Sequence, residues 1–419
     1  MKNNLPRRND PCHCGSGKKY KNCCLELDEL LGPDGDLFER YNRLITSCKM
    51  KLDNEFGPNI KKVRHDLLQH FMQFSSQKEL DPKHESLFSD WLWFDLLDGD
   101  ENSLAYNYVN ARLAYLQEPL QECIGAFMLS YLSVYEPIEV LEKHLKVKDI
   151  FTGQENLVLL KESFDEDISS KPLLLLGRQL HFKEGSVFSG MVLIIQNDAG
   201  QKDFLLAYID YLKALIKEAK MINVLKFQAE ILYGLFDHAY HKKPFSLGDF
   251  KVYNLTETER EEAEETITSS DIFKFDYQAE KIDWYTLKER AYPAKIGLSE
   301  NYLLACADQI DDIQTLQNFC CDLLPGQEPR IIHSVFLKQR PPEDLLPLWF
   351  EIMKDRESER WLHTPHEELD NQTPLEVLKT GNGQAQLMQM LAKFEDLSDG
   401  GKETLELIQH MRLRVQQYK

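Results

Sequence analysis

Four thiols fall within thirteen residues, Cys12-His13-Cys14-Gly15-Ser16-Gly17-Lys18-Lys19-Tyr20-Lys21-Asn22-Cys23-Cys24, and the surrounding stretch is too polar to build a hydrophobic core. A segment this short folds only if something other than apolar burial holds it. The Cys12–Cys14 pair precedes the vicinal Cys23–Cys24 pair, and the Gly-Ser-Gly turn between them lets the chain fold back so that both pairs face one centre. Tetrahedral zinc takes four N or S ligands at about 2.0–2.3 Å, which this set supplies as S4. Lys18, Lys19 and Lys21 offset the charge of four thiolates and favour their deprotonation. A full protein shell leaves no position for water, so one structural zinc per chain is expected. His13 is a lesser candidate ligand, since the middle of C-x-C projects away. A disulfide is disfavoured by ring strain and by a reducing compartment. Gly15 to Lys19 fails as a phosphate loop, because Cys12 stands where glycine is needed and Lys19 where Ser or Thr is needed.

Charge separates this segment from the rest of the chain. The 419 residues carry a formal net charge of −20 at pH 7, yet Lys2, Arg7, Arg8, Lys18, Lys19 and Lys21 against Asp10 give residues 1–24 a formal +5. The remaining 395 residues therefore carry −25. An acidic body repels nucleic acid and anionic lipid, so Arg7, Arg8, Lys18, Lys19 and Lys21 are the candidate partner-binding residues. No apolar run approaches the roughly 18 residues needed for a membrane span. The start of the chain lacks the apolar stretch of a secretory signal, and with nine cysteines this points to the cytoplasm.

Beyond a turn-rich hinge at Leu31–Asp36, helical spacing such as Leu67, Phe71 and Phe74 predicts a helical domain over 37–144. Residues 87–99 hold its densest aromatic cluster, read as the core face of a buried helix. Residues 145–200 read as a small antiparallel β unit of four or five strands, with turns at Thr152-Gly153-Gln154 and Lys183-Glu184-Gly185-Ser186. Leu205, Ile209, Leu212 and Ile216 return to helical spacing. The run of glutamates from Glu257 to Glu265 reads as a solvated helix face. The expected fold is mainly α with this one β unit and a short N-terminal zinc knuckle. Its division is 1–27, 37–144, 145–200, 201–298 (helical) and 299–419 (a C-terminal helical subdomain).

Arg8-Asn9-Asp10-Pro11-Cys12 through Cys23-Cys24 resembles the SEC-C motif, the zinc module at the C-terminus of the SecA translocation ATPase. The resemblance implies zinc at Cys12, Cys14, Cys23 and Cys24, and a basic docking surface of the kind SecA offers the SecB chaperone and ribosomes. His13 departs from the proline common in the family. None of the SecA motor motifs is present, so translocase activity is not implied. The pieces LFSDWLWFD, SYLSVYEPIEV and VKDIFTGQE are similar to the central region of uncharacterised bacterial SEC-C proteins. Residues 361–395, from Trp361-Leu362-His363-Thr364-Pro365-His366 through Pro374 to Gly383, resemble the toxin-binding domain of the Xre/MbcA/ParS antitoxins.

Other constellations have local explanations. Cys320–Cys321 read as buried structural thiols. His238 and His241 sit where they favour a helix C-terminus, and His363 and His366 flank a capped turn. No nucleophile, zinc-protease, dinucleotide or paired-carboxylate motif occurs, which favours a non-enzyme. The expected function is a zinc-binding adaptor whose basic knuckle docks a ribosome, chaperone, nascent chain or nucleic acid. Its rivals are an enzyme whose motif-less site joins Asp149, Glu155, Arg178 and His181 near the β unit, and a regulator that pairs with a toxin through 361–395.

Overall fold

The computed structural model describes residues 6–12, 17–22, 25, 28, 36–112, 116, 118–161, 171–290, 293–337, 340–397 and 401–418. Two compact units divide the chain, Met1–Pro244 and Phe245–Lys419.

In the first unit, α1 (Leu37–Met72) starts at Asp36, whose carboxylate accepts the Phe38 N–H, and continues through Pro58. Its buried stripe runs from Leu44 through Cys48 and Leu52 to Phe71. The aromatic cluster forms α2 (Glu85–Phe94), buried from Leu87 to Phe94 except for half-buried Ser89, as expected of a helix that is apolar around its circumference. Helices α3 (Leu104–Arg112) and α4 (Glu118–Leu129) lead into the first sheet.

That sheet is larger than the sequence suggests. It begins at β1 (Leu132–Leu141), inside the stretch expected to be helical, and continues with β2 (His144–Asp149), β3 (Glu155–Leu159), β4 (Leu173–Phe182), β5 (Gly185–Phe188) and β6 (Leu193–Gln196). Because β1 pairs with both β2 and β4, and β3 meets β5 through the parallel pair Val158–Ser186, the pairings β1–β2–β3–β5–β4–β1 close a ring. Tyr135, Leu145, Val147, Val158, Leu160 and Leu175 form its core. β6 continues along β4 beyond the ring. Helices α5 (Gln201–Leu215), α6 (Met221–Phe227) and α7 (Ala229–Tyr240) complete the unit, with Leu205, Ile209 and Leu212 buried as their spacing predicts.

The second unit corrects the mainly helical expectation. Strands β7 (Asp249–Asn254), β8 (Phe273–Ala279), β9 (Ile282–Leu287), β10 (Lys295–Leu298), β11 (Tyr302–Ala307) and β12 (Arg330–His333) form a second sheet in the order β12-β7-β11-β10-β9-β8, antiparallel throughout. The fold is therefore mixed α and β. The glutamate run is α8 (Glu257–Ser269), closed by a Thr256–Glu259 capping box and burying only Ala263 and Ile267. After α9 (Ile310–Leu323), helices α10 (Leu346–His363), α11 (Pro374–Leu378), α12 (Gly383–Leu397) and α13 (Lys402–Gln417) share a core of Trp361, Leu369, Leu387, Leu391 and Met411. Ile352 of α10 packs instead with Trp284, Leu304 and Cys306 of the sheet.

One contact in the first unit depends on an absent side chain. Phe71 stacks on Tyr233 with ring centroids 4.6 Å apart, and at neighbouring Gly234 an added Cβ would stand 2.5 Å from Phe74 Cβ and 2.6 Å from the Phe74 carbonyl oxygen. Gly234→Ala is expected to destabilise by about 1–3 kcal/mol through this backbone clash. Urea denaturation of the full chain checks it, and an unchanged midpoint contradicts the packing.

Candidate functional site

The N-terminal segment folds on itself through backbone hydrogen bonds. Gly17 turns the chain at φ +70°, a conformation glycine adopts without a Cβ clash. Beyond the turn, Cys12 N–H donates to Lys18 O at 2.9 Å, while Tyr20 and Lys21 N–H donate to Asp10 O and Arg8 O at 2.8 Å. Pro11 and Lys19 form an antiparallel bridge. A single 3-10 turn, Tyr20–Asn22, then delivers the chain to position 23. The outgoing and returning segments thus bring Cys12 beside the residues that precede Cys23–Cys24. Cys12 is 6% exposed and packs with Tyr20, whereas Arg7, Arg8, Lys18, Lys19 and Lys21 are all exposed. His13, Cys14, Cys23 and Cys24 lie outside the described residues. A buried thiol on one arm, with the vicinal pair one residue past the other arm, fits the donor chemistry of a zinc–thiolate site.

Residues 8–26 match the SEC-C motif. Over 19 residues the chain is 90% identical to protein translocase subunit SecA of Sulfurovum sp. (strain NBC37-1) and of Chlorobium phaeobacteroides (strain BS1). It is 94% identical over 18 residues to SecA of Azobacteroides pseudotrichonymphae genomovar. CFP2. Each match covers 4% of this chain and 2% of the SecA protein, so the likeness is confined to the motif and suggests a zinc-binding module. Residues 350–396 match the antitoxin Xre/MbcA/ParS C-terminal toxin-binding domain, which suggests binding of a protein partner. Residues 50–227 match a family of unknown function (DUF7986). No described helix is long and apolar enough to cross a membrane.

The four groups considered near the β unit are each engaged separately. Asp149 is buried and accepts the Phe151 and Thr152 N–H groups of its own turn. Glu155 pairs with Lys146 on the surface at 2.7 Å. Arg178 is buried against Asp95 and donates to Ser130 O and Oγ at 3.2 Å. His181 Nδ1 meets Ser186 Oγ at 2.8 Å, and its odd spacing from Arg178 along β4 sends the two side chains to opposite faces. The histidine pairs behave as local caps: His241 Nδ1 lies 2.9 Å from Asp237 O, and His363 Nδ1 lies 2.9 Å from Glu359 O. Cys320 is buried and its thiol is pushed up to about 12 by burial, while Cys321 is exposed, so only one of this pair is a core thiol.

A cluster that sequence reasoning missed lies in the second unit. Lys295, 0% exposed, places Nζ 2.6 Å from Asp355 Oδ1, 2.6 Å from Glu359 Oε1 and 2.8 Å from Asp276 Oδ2. Arg414 pairs with Glu359 and, at 2.6 Å, with Asp276. Tyr277 donates its hydroxyl to Asp355 at 2.8 Å and meets His410 Nε2 at 3.0 Å. Burial opposes the charge on Asp276, but Lys295 and Arg414 outweigh it and hold the carboxyl down to about 2. Burial, with Arg414, Lys354 and Lys295 nearby, pushes His410 down to about 3. The members are spread from 276 to 414; the usable signals were Asp355/Glu359 and His410/Arg414, each pair one helical turn apart.

These shifts give the second unit a defined acid response. His410 stays neutral when folded but takes a proton near pH 6.5 when unfolded, so the unfolded chain binds more protons below that pH. Stability is therefore full above about pH 6.5 and falls as pH drops toward about 3, with Asp276 adding to the loss below about pH 4. Hydrogen exchange of β8 to β11 across pH 7 to 4 checks this. His410→Gln is expected to flatten the slope; an unchanged slope places the titration elsewhere.

Proposed function

We propose that the chain is an adaptor whose zinc-stabilised N-terminal module docks an acidic or polyanionic partner. The observation that carries the reading is the fold-back of residues 7–12 onto 18–22, with Cys12 buried and five cations exposed around it. In this reading Cys12, Cys14, Cys23 and Cys24 hold one structural zinc, which fixes the turn and leaves the cations outward. Arg7, Arg8, Lys18, Lys19 and Lys21 then meet carboxylates or phosphates on a ribosome, chaperone, nascent chain or nucleic acid. The acidic remainder of the chain opposes a polyanion elsewhere, so docking concentrates on the module.

Metal analysis of the purified protein is expected to give one zinc per chain. A quadruple Cys→Ser variant that retains one zinc overturns the ligand set. The two units bury their own cores, so chelation should disorder residues 1–27 and leave both units folded. Circular dichroism that collapses on chelation contradicts this.

Arg7→Glu with Lys18→Glu and Lys19→Glu is expected to weaken partner capture by about tenfold or more at unchanged zinc content. Pull-down from cell lysate with and without residues 1–27, scored for protein and RNA, measures it. Capture that survives both the substitutions and about 0.5 M salt assigns the interaction to the acidic body.

A second reading rests on the match at residues 350–396. Protein pairing through the segment between α10 and α12 makes the chain a regulator, and charge reversal at exposed Glu367 and Glu368 (Glu367→Lys with Glu368→Lys) then weakens capture while zinc stays bound and circular dichroism is unchanged.

A further inference from the structure

The first sheet ends in an open edge. β6 pairs with β4 on one side, and among the described residues no strand lies on the other. The register determines which backbone groups that edge presents. Asn197 N–H donates to Pro172 O at 2.7 Å, so the pairs two and four residues further, Leu174–Ile195 and Leu176–Leu193, are the hydrogen-bonded pairs of the ladder. Ile194 and Gln196 fall between them, and their N–H and C=O groups point away from β4 toward the open side.

A cleft of about 640 Å³ lies against this strand, with Met191 to Ile194 on one wall and His84, Tyr233, Tyr240 and His241 on the other. Ile194 is 48% exposed and Met191 46% exposed. The opposite wall is built to stay in place. Buried Asp237 accepts from Ser75 Oγ at 2.8 Å and Ser76 N–H at 2.7 Å, and also holds His241 Nδ1 at 3.2 Å. His84 Nδ1 meets the Tyr233 hydroxyl at 2.8 Å. Glu79 and Asp81 stand exposed at its rim with Lys83 the only lining cation among the described residues, so the rim favours positive charge.

We propose that β6 is a docking edge for an extended peptide segment of a partner protein, which adds a strand alongside Ile194 and Gln196. Alternate side chains of that segment enter the cleft, so they are apolar; basic residues flank them to match Glu79 and Asp81. Main-chain hydrogen bonds supply affinity and the cleft supplies side-chain selection, the general logic of strand addition. The cleft is lined by no described residue of the N-terminal module, and its test changes none of that module's residues.

The probe is a fluorescein-labelled peptide, KVTVTVK, titrated by anisotropy against the full-length zinc-loaded chain. Binding with a Kd of about 10–100 µM is expected, given few contacts and an ordering cost. Ile194→Pro deletes an outward N–H that β4 does not use, and it should weaken binding by about tenfold, with unchanged circular dichroism. A peptide N-methylated at alternate residues should fail against the unaltered protein, which keeps the test decisive if Ile194→Pro misfolds. Absence of binding up to 1 mM overturns the proposal, as does equal binding of the N-methylated peptide. A dimer in light scattering that dissociates on Ile194→Pro also overturns it, because a second copy then occupies the edge.

Discussion

A lysine ammonium removed from water loses several kcal/mol of hydration, and Lys295 is held there by three carboxylates within 2.8 Å. Those carboxylates come from different elements: Asp276 from β8, and Asp355 and Glu359 from successive turns of α10. Arg414 of α13 completes the set by pairing with Asp276 and Glu359. Any slip of α10 or α13 along the sheet separates buried Lys295 from Asp355 and Glu359, which have almost no access to water. Losing one partner of such a cluster costs about 3–5 kcal/mol, although a wholly apolar replacement could be just as stable. The cluster therefore specifies position more than it adds stability. It fixes the phase of α10, and with it the residues that α10 presents within the 350–396 segment.

The first unit uses the same principle with smaller groups. Asp95, the buried C-cap residue of α2, pairs with Arg178 and, at 2.8 Å, with Lys226. Asp90 on the same helix pairs with Lys49 at 2.6 Å and accepts from Ser189 Oγ at 2.5 Å. Asp90 lies on the aromatic helix and Asp95 caps its C-terminus, so its apolar surface is interrupted at two points where α1, α6, β4 and the segment after β5 must meet it. Arg178, considered from sequence as a member of a reactive group, instead joins β4 to α2.

Turn chemistry decided how much of the fold could be read from the residues. The turns at Thr152-Gly153-Gln154 and Lys183-Glu184-Gly185-Ser186 contain glycine, and both hairpins were legible. The β8–β9 turn is Glu280-Lys281, with both residues at positive φ, a geometry that normally selects Asn or Gly. The β1–β2 turn is Glu142-Lys143, with Glu142 at positive φ. Neither carries a residue that signals a tight hairpin, so β1 and the second sheet went unread. Strands such as YLLACA are buried on both faces and lack the alternation that separates strand from helix. The knuckle was legible for the opposite reason: its ligand spacing is local. The Lys295 cluster joins residues more than a hundred positions apart, and no local pattern encodes it.

The two surfaces proposed for partners rest on different physics. Attraction between the exposed cations of the N-terminal module and an anionic surface is screened over about 8 Å at physiological salt, so it governs encounter more than residence. Hydrogen bonds along β6 form only after an extended segment aligns in register, and mobile ions do little to weaken them. Polyanion attraction at one surface and ordered strand pairing at the other select on unrelated properties of a partner. A nucleic acid satisfies the first and cannot satisfy the second, since it has no peptide N–H groups to pair with Ile194 and Gln196. A polypeptide able to use both must combine an acidic region with an extended apolar stretch flanked by basic residues. Dependence on both surfaces would therefore mark the partner as protein, whereas dependence on the module alone leaves ribonucleoprotein within its range.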